Sequence, residues 1–154
     1  MRVWRIASAE FAAFDGEGGR RYGSRWTPRG LPVVFTSATL SLAALERFVN
    51  ADTDLEPNNL LAIAVDIDVR VAIDTVVVGD LPPDWRTYPP PPSLATIGER
   101  WLQQAKSAIL SVPSVVIPAE RNFALNPAHA DFGRLTIHPS EPFSFDPRMW
   151  KAKP

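Results

Sequence analysis

Proline decides what this chain can become. Sixteen prolines stand among its 154 residues, roughly twice ordinary usage. Each fixes φ and removes a backbone donor, so long helices and wide unbroken strands are excluded over much of the sequence. The densest stretch, Leu81 to Ser93, holds Pro82, Pro83 and the run Pro89 to Pro92. It predicts an extended connector. Hydrophobic residues still make up 45% of the chain, too many for a disordered one. Abundant proline with a full core predicts short elements and many turns. The proline stretch does not read as an interdomain linker, because the chain beyond Ser93 is too short for a core of its own. One domain over residues 1–154 is the expectation.

Charge and composition narrow the function classes. Lys and Arg number 16 against 17 Asp and Glu, and such a near-neutral chain lacks the basic face that direct nucleic-acid binding needs. No apolar run reaches the ~18 residues of a membrane span. Arg2 and Arg5 interrupt the first apolar residues, unlike a secretion signal. The chain has no cysteine, which removes disulfides, thiolate metal sites and a cysteine nucleophile. With only His129 and His138 and no His-Glu-x-x-His pattern, no metal site is expected. A cytoplasmic setting is expected.

Periodicity gives the elements. Arg2 to Ile6 predicts a short strand, and Leu31 to Ser37 a buried one opened by a proline. Asp15 to Gly19 predicts a turn or mobile loop without the strand–helix context of a dinucleotide fingerprint. Thr39 to Asn50 predicts a helix with Leu42, Leu45 and Val49 inward, Thr39 as cap and Asn50 as stop. Leu61 to Val69 alternates as a strand, and a second strand is expected within Val71 to Val78. Thr96 to Ala108 predicts another helix, with Thr96 and Glu99 as a capping box and Ile97, Trp101, Ala105 and Ile109 inward. Leu110 to Ile117 predicts a strand broken by Pro113, and Gly133 to Phe145 a terminal hairpin or paired edge strands. The sum is an α+β domain of small mixed or antiparallel sheets with two main helices.

Four clusters carry residues suited to chemistry: Tyr22 to Gly30 with Arg25 and Trp26; Val34 to Ser37 leading to Glu46; the helix around Trp101; and Val112 to Pro118, followed by Asn122, Asn126-Pro127 and His129. Each has a plain reading. Arg25 can stack on Trp26. Glu46 can face solvent, although periodicity puts it beside the apolar stripe. Ser114 can be polar filler, Asn126-Pro127 a turn and His129 a loop hydrogen-bonder.

Taken in order, the motifs resemble a known family. Gly-x-Arg-Trp, a Val-Val-Phe-Thr strand, Ala-Leu-Glu in a helix, a Gly-Glu-Arg-Trp-Leu helix, Val-Pro-Ser-Val-Val-Ile-Pro and Asn-Phe-Ala-Leu-Asn-Pro-x-His follow the pattern of RES-domain toxins. These are the toxin halves of type II toxin–antitoxin pairs whose antitoxin is an Xre-type helix-turn-helix protein. The resemblance implies a fold similar to ADP-ribosyltransferases, NAD as substrate rather than bound cofactor, and Arg25, Glu46 and Ser114 as the catalytic set. It also implies an Xre-type partner that makes any DNA contact, and a homodimer within a larger complex.

The implied chemistry suits the residue types. Breaking the nicotinamide–ribose bond develops an oxocarbenium-like ribose, which a carboxylate at Glu46 stabilises. Arg25, with Arg5 as a second candidate, offers a planar cation for the diphosphate. Phe35 offers a stacking wall where the family commonly has tyrosine; the ring is kept and the hydroxyl lost. Ser114 can donate to a phosphate or to Glu46, and Asn122 joins Arg5, Arg25, Phe35 and Ser114 as a candidate NAD contact. The activity expected first is NAD glycohydrolase or phosphorylase. ADP-ribosyl transfer to a protein is the alternative, and a catalytically inactive partner-binding module ranks below both.

Overall fold

A computed structural model describes residues 1–51 and 57–150. Eight strands form one sheet: β1 (Arg2–Ser8), β2 (Val34–Ser37), β3 (Leu60–Ile67), β4 (Ile73–Thr75), β5 (Ile109–Pro113), β6 (Arg121–Leu125), β7 (Leu135–Ile137) and β8 (Glu141–Phe143). The order is β4-β5-β6-β2-β1-β3-β7, with β8 also on β3. Pairing is antiparallel except between β4 and β5. The helices are α1 (Glu17–Tyr22), α2 (Leu40–Val49) and α3 (Pro92–Gln104). The α+β class expected from the sequence holds, with the strands gathered into one sheet. Among the described residues no helix is long and apolar enough to cross a membrane.

Alternation along the strands sorts side chains onto two faces. Val3, Val34, Val65, Ile109, Phe123 and Leu125 share one buried cluster. On the other face, Leu110, Val112 and Ala124 meet Leu94 and Trp101 of α3, together with Trp26 and Trp85. Ile6, Leu60 and Ala62 meet Ala43 of α2, and Phe145 closes that cluster. This second face therefore carries α3 over one half and α2 over the other, and the space between them becomes the cleft.

Several sequence expectations shift. The glycine-rich stretch expected as a loop forms α1, because Gly19 lies flat against β2: a Cβ there would stand 2.4 Å from the Val33 carbonyl oxygen. Thr39 caps α2 as expected, accepting from the Leu42 amide at 3.0 Å, and Asn50 ends it. Its buried residues are Leu42 and Ala43, however, and Val49 is 60% exposed. The Thr96–Glu99 capping box does not form. Pro92 opens α3 earlier, since a proline in the first turn loses no helical hydrogen bond, and Thr96 lies inside the helix. Ala105, in the left-handed region at φ 47°, ends α3 before Ala108, and Ile109 belongs to β5. The strand β6 has no counterpart among the expected elements. The tail forms no hairpin: β7 and β8 run in succession along one edge of β3, pairing Val65–Ile67 and then Leu60–Ala62. They are one edge strand interrupted at Pro139.

One contact ties α3 to the segment carrying Arg25. A Cβ on Gly98 would stand 2.0 Å from the Trp26 carbonyl oxygen and 2.7 Å from a Thr27 methyl. Gly98→Ala should therefore destabilise by about 1–3 kcal/mol through overpacking, despite alanine's better helix propensity. Gly133→Ala, which meets nothing within 4 Å, should stay within about 0.5 kcal/mol of wild type. Thermal melting of both variants checks this; a Gly98→Ala protein as stable as wild type contradicts the packing argument.

Candidate active site

The site grows from one cross-strand pair. In β2 and β6, Phe35 lies opposite Ala124 and Ser37 opposite Asn122. Phe35 and Ser37 are two residues apart and so share a face, the one beneath α2 and α3. The Ser37 hydroxyl donates to Asn122 Oδ1 at 2.7 Å. Asn122 Nδ2 then donates to Glu46 Oε1 at 2.6 Å. The Ser114 hydroxyl, just beyond β5, donates to the same oxygen at 2.8 Å. Ser114 is fully buried and its Oγ also accepts from the Ile117 amide at 3.0 Å. Of the two partners open to Ser114 in the sequence, the hydroxyl takes Glu46. Glu46 Oε2 makes no hydrogen bond among the described residues. A carboxylate with two donors on one oxygen is fixed in orientation.

Arg25 reaches the same cleft from a tight turn. Ser24 Oγ accepts from the Trp26 and Thr27 amides, both at 3.0 Å. That turn projects Arg25 while Trp26 is buried against Trp85, ring centroids 6.4 Å apart. The plain reading of Arg25 stacked on Trp26 does not hold. Arg25 Nη1 instead donates to the Trp85 and Thr87 carbonyls at 2.9 and 2.8 Å. This leaves its Nε–Nη2 edge, the edge that grips phosphates in bidentate fashion. Burial lowers the Arg25 pKa, and the Glu46 charge acts against that fall.

Arg5 is more fully committed. Its Nη1 donates to the Phe35 carbonyl at 3.1 Å and its Nη2 to the Phe11 carbonyl at 3.0 Å. Burial pushes its pKa down to about 10, opposed by attraction to Asp15 and aided by repulsion from Arg47. It remains charged at neutral pH and braces the backbone on either side of the cleft.

These residues line one cleft of about 790 Å³, which holds Arg5, Arg25, Phe35, Glu46 and Asn122. Ser114 stands behind Glu46. Among the described residues, the charged groups lining the cleft are Arg5, Arg25, Arg47 and Arg86 against Glu46, in a chain with a formal net charge of −1. Phe35 is half-buried, with its ring against the tryptophan cluster. Asn126 and His129 lie elsewhere. Asn126 Oδ1 accepts from the Ala128 amide, while His129 Nδ1 accepts from the Asp131 amide and Nε2 meets the Ala105 carbonyl at 3.1 Å. His129 thus latches the end of α3, in keeping with its plain reading.

Sequence reasoning missed Ser37, Arg47 and Arg86. Ser37 is visible as the second residue after Phe35, hence on the same strand face. Arg47 directly follows Glu46 and is overshadowed by it. Arg86 sits in the proline-rich connector, where periodicity gives no signal; its guanidinium donates to the Val115 carbonyl at 3.1 Å.

Known proteins resemble this chain over nearly its whole length. The RES domain model matches residues 2–146. The Prs ADP-ribosylating toxin of Sphingobium sp. (strain YBL2) is 32% identical over 152 residues, covering 95% of this chain and 94% of that protein. Toxin Res of Photorhabdus laumondii is 32% identical over 157 residues, covering 99% of each. Among solved structures, a chain in the crystal structure of the M. tuberculosis MbcT–MbcA toxin–antitoxin complex shares the fold, with TM-score 0.74, 17% identity and coverage of 97% of this chain and 86% of that one. With the family model spanning nearly its whole length, this chain belongs to the RES domain family.

Proposed function

We propose that the cleft binds NAD and that Glu46 promotes cleavage of the bond between the nicotinamide nitrogen and ribose C1′. The observation that carries this reading is the Glu46 carboxylate, clamped through Oε1 by Ser114 and Asn122 with Oε2 left unbonded in an arginine-lined cleft. When the C1′–N bond breaks, its electron pair passes to the nicotinamide ring, which leaves neutral and needs no proton. Positive charge develops on the ribose, and a fixed carboxylate stabilises it more than it stabilises the ground state. Water or phosphate then adds at C1′ and gives up a proton to solvent. Phe35 supplies an aromatic surface for the nicotinamide. The free edge of Arg25 suits an anionic oxygen of the diphosphate. Ser114 and Asn122 act on the substrate through Glu46, as positioning residues.

In this reading the protein is the toxin of a toxin–antitoxin pair, with an Xre-type antitoxin and a homodimer within the complex. The names of its relatives and the solved toxin–antitoxin complex support a restraining partner. A second reading, ADP-ribosyl transfer to a protein, is favoured by the relative named for that activity. Both begin with the same bond cleavage and differ in the acceptor. Incubating purified protein with labelled NAD, with and without phosphate, separates them. Free ADP-ribose points to water, ADP-ribose 1-phosphate to phosphate, and label on a protein added as acceptor to transfer. Intact NAD in every arm contradicts the proposal.

Three substitutions test the roles. Glu46→Gln keeps an oxygen for both donors but loses the charge, so kcat should fall at least a hundredfold, about 2.7 kcal/mol. Retention of more than a tenth of the turnover contradicts the assignment. Ser114→Ala removes one donor to the carboxylate, a bond of about 1.5–3 kcal/mol, and should lower kcat roughly ten- to a hundredfold with KM little changed. An unchanged kcat would detach Ser114 from the chemistry. Phe35→Ala should cost about tenfold or more in NAD turnover, and Phe35→Tyr little, because stacking needs only the ring. Normal turnover in a folded Phe35→Ala protein, with melting measured beside the kinetics, would remove Phe35 from the site.

A further inference from the structure

A second cavity of about 450 Å³ lies beside the main cleft. Arg5, Ile6, Gly23, Phe35 and Arg47 line both and form the waist between them. The far wall of the smaller cavity carries Phe11 and Tyr22, ring centroids 5.8 Å apart and edge to face. The four arginines of the main cleft are not equivalent. Arg5 donates to two backbone carbonyls, Arg25 to two and Arg86 to one. Arg47 makes no hydrogen bond among the described residues, and its Nε is buried without a partner. The Nε of Arg5 is likewise buried and unpartnered. The two cations are near enough for Arg47 to depress the Arg5 pKa by repulsion. Like charges held together with donors unmet are costly to fold. An anion at the waist offsets the repulsion between the two guanidinium groups.

We infer that Arg47, with Arg5 behind it, forms a phosphoryl-group subsite at the waist between the two cavities, and that it takes the diphosphate of a dinucleotide. The arrangement of the cavities favours a dinucleotide over a mononucleotide. A charged waist that includes the Phe35 ring, with the main cleft on one side and Phe11 and Tyr22 on the other, matches a molecule whose two base-bearing halves flank a diphosphate. Glu46 stands in the main cleft, so the half that reacts lies there. The other half enters the chamber of Phe11 and Tyr22. Arg47 is a binding residue in this arrangement, and the identity of its dinucleotide rests on reading the cleft as an NAD site. The same guanidinium chemistry suits orthophosphate as an acceptor, so the test carries an arm for each source.

The test uses calorimetric titration of the full chain with pyrophosphate, ADP-ribose and orthophosphate, on wild type, Arg47→Gln and Arg47→Lys. Wild type should bind pyrophosphate and ADP-ribose, and Arg47→Gln should weaken both at least tenfold. Arg47→Lys, which keeps the charge and loses the fork, should fall between. A loss confined to orthophosphate, with ADP-ribose affinity intact, assigns the subsite to the acceptor and overturns the diphosphate assignment. The melting temperature of ligand-free Arg47→Gln should equal or exceed that of wild type, because one of two repelling cations has been removed; a purely structural arginine would lower it. Pyrophosphate bound through Arg47 by a protein that leaves NAD intact would retain the subsite and refute the NAD reading. NAD cleaved with pyrophosphate and ADP-ribose affinities within twofold of wild type in Arg47→Gln would overturn the subsite and retain that reading.

Discussion

The two hydrogen bonds on Glu46 Oε1 tie a helix to the ends of two paired strands. Glu46 lies on α2, Ser114 beyond β5 and Asn122 in β6. Asn122 is tied in turn to Ser37 at the end of β2. One carboxylate thus fixes α2 to the half of the sheet that α3 covers. Apart from that link, α2 packs on β1, β2, β3 and the aromatic tail, where the Phe48 and Trp150 ring centroids are 5.1 Å apart. Bringing a carboxylate partly out of water requires such donors. The same donors hold it in one orientation, which preorganised stabilisation of a developing cation needs.

Around that carboxylate the cleft is built largely from arginine and backbone. Arg5 and Arg25 add side-chain ties to backbone carbonyls beyond the sheet's own ladders. Arg5 links β1 to Phe35 and Phe11, and Arg25 links its own turn to the Trp85–Thr87 stretch. A chain rich in proline has many carbonyls outside regular structure, and guanidinium groups with five donors are suited to satisfy them. The result is a positive cleft in a near-neutral protein. Its field favours a polyanion, while Glu46 adds one local negative charge within it.

How much of this can be read in the sequence depends on how local each signal is. The helix α2 is legible from its Thr39 cap and from Leu42, although the expected stripe misplaces Val49, which faces solvent. The strand β3 is legible from alternation over eight residues. The start of α3 is misplaced when a capping box is given more weight than Pro92, whose fixed φ begins the helix first. The helix α1 is hidden because glycine lowers helix propensity; only the close approach of Gly19 to Val33 explains its use there. The strand β6, five residues with Arg121 and Asn122 at its start, is too short and polar to announce itself. Motif order singles out Arg25, Glu46 and Ser114, of which the first two line one cleft and the third bonds to Glu46. That Ser114 serves Glu46, that Arg5 serves the backbone, and that Arg47 meets no partner among the described residues are properties of three-dimensional packing, which no spacing encodes.

In the proposed mechanism Ser114 acts through Glu46 and not on the substrate directly. A double-mutant cycle between the two, read as nicotinamide released from labelled NAD, tests it most directly. With Glu46 intact, removing the Ser114 hydroxyl should slow cleavage, because the carboxylate loses a donor. In a protein that already carries Gln at position 46, the same removal should change the residual rate by less than about threefold, under about 0.7 kcal/mol. If the two losses multiply in full, Ser114 has a role of its own and the account of the clamp is wrong.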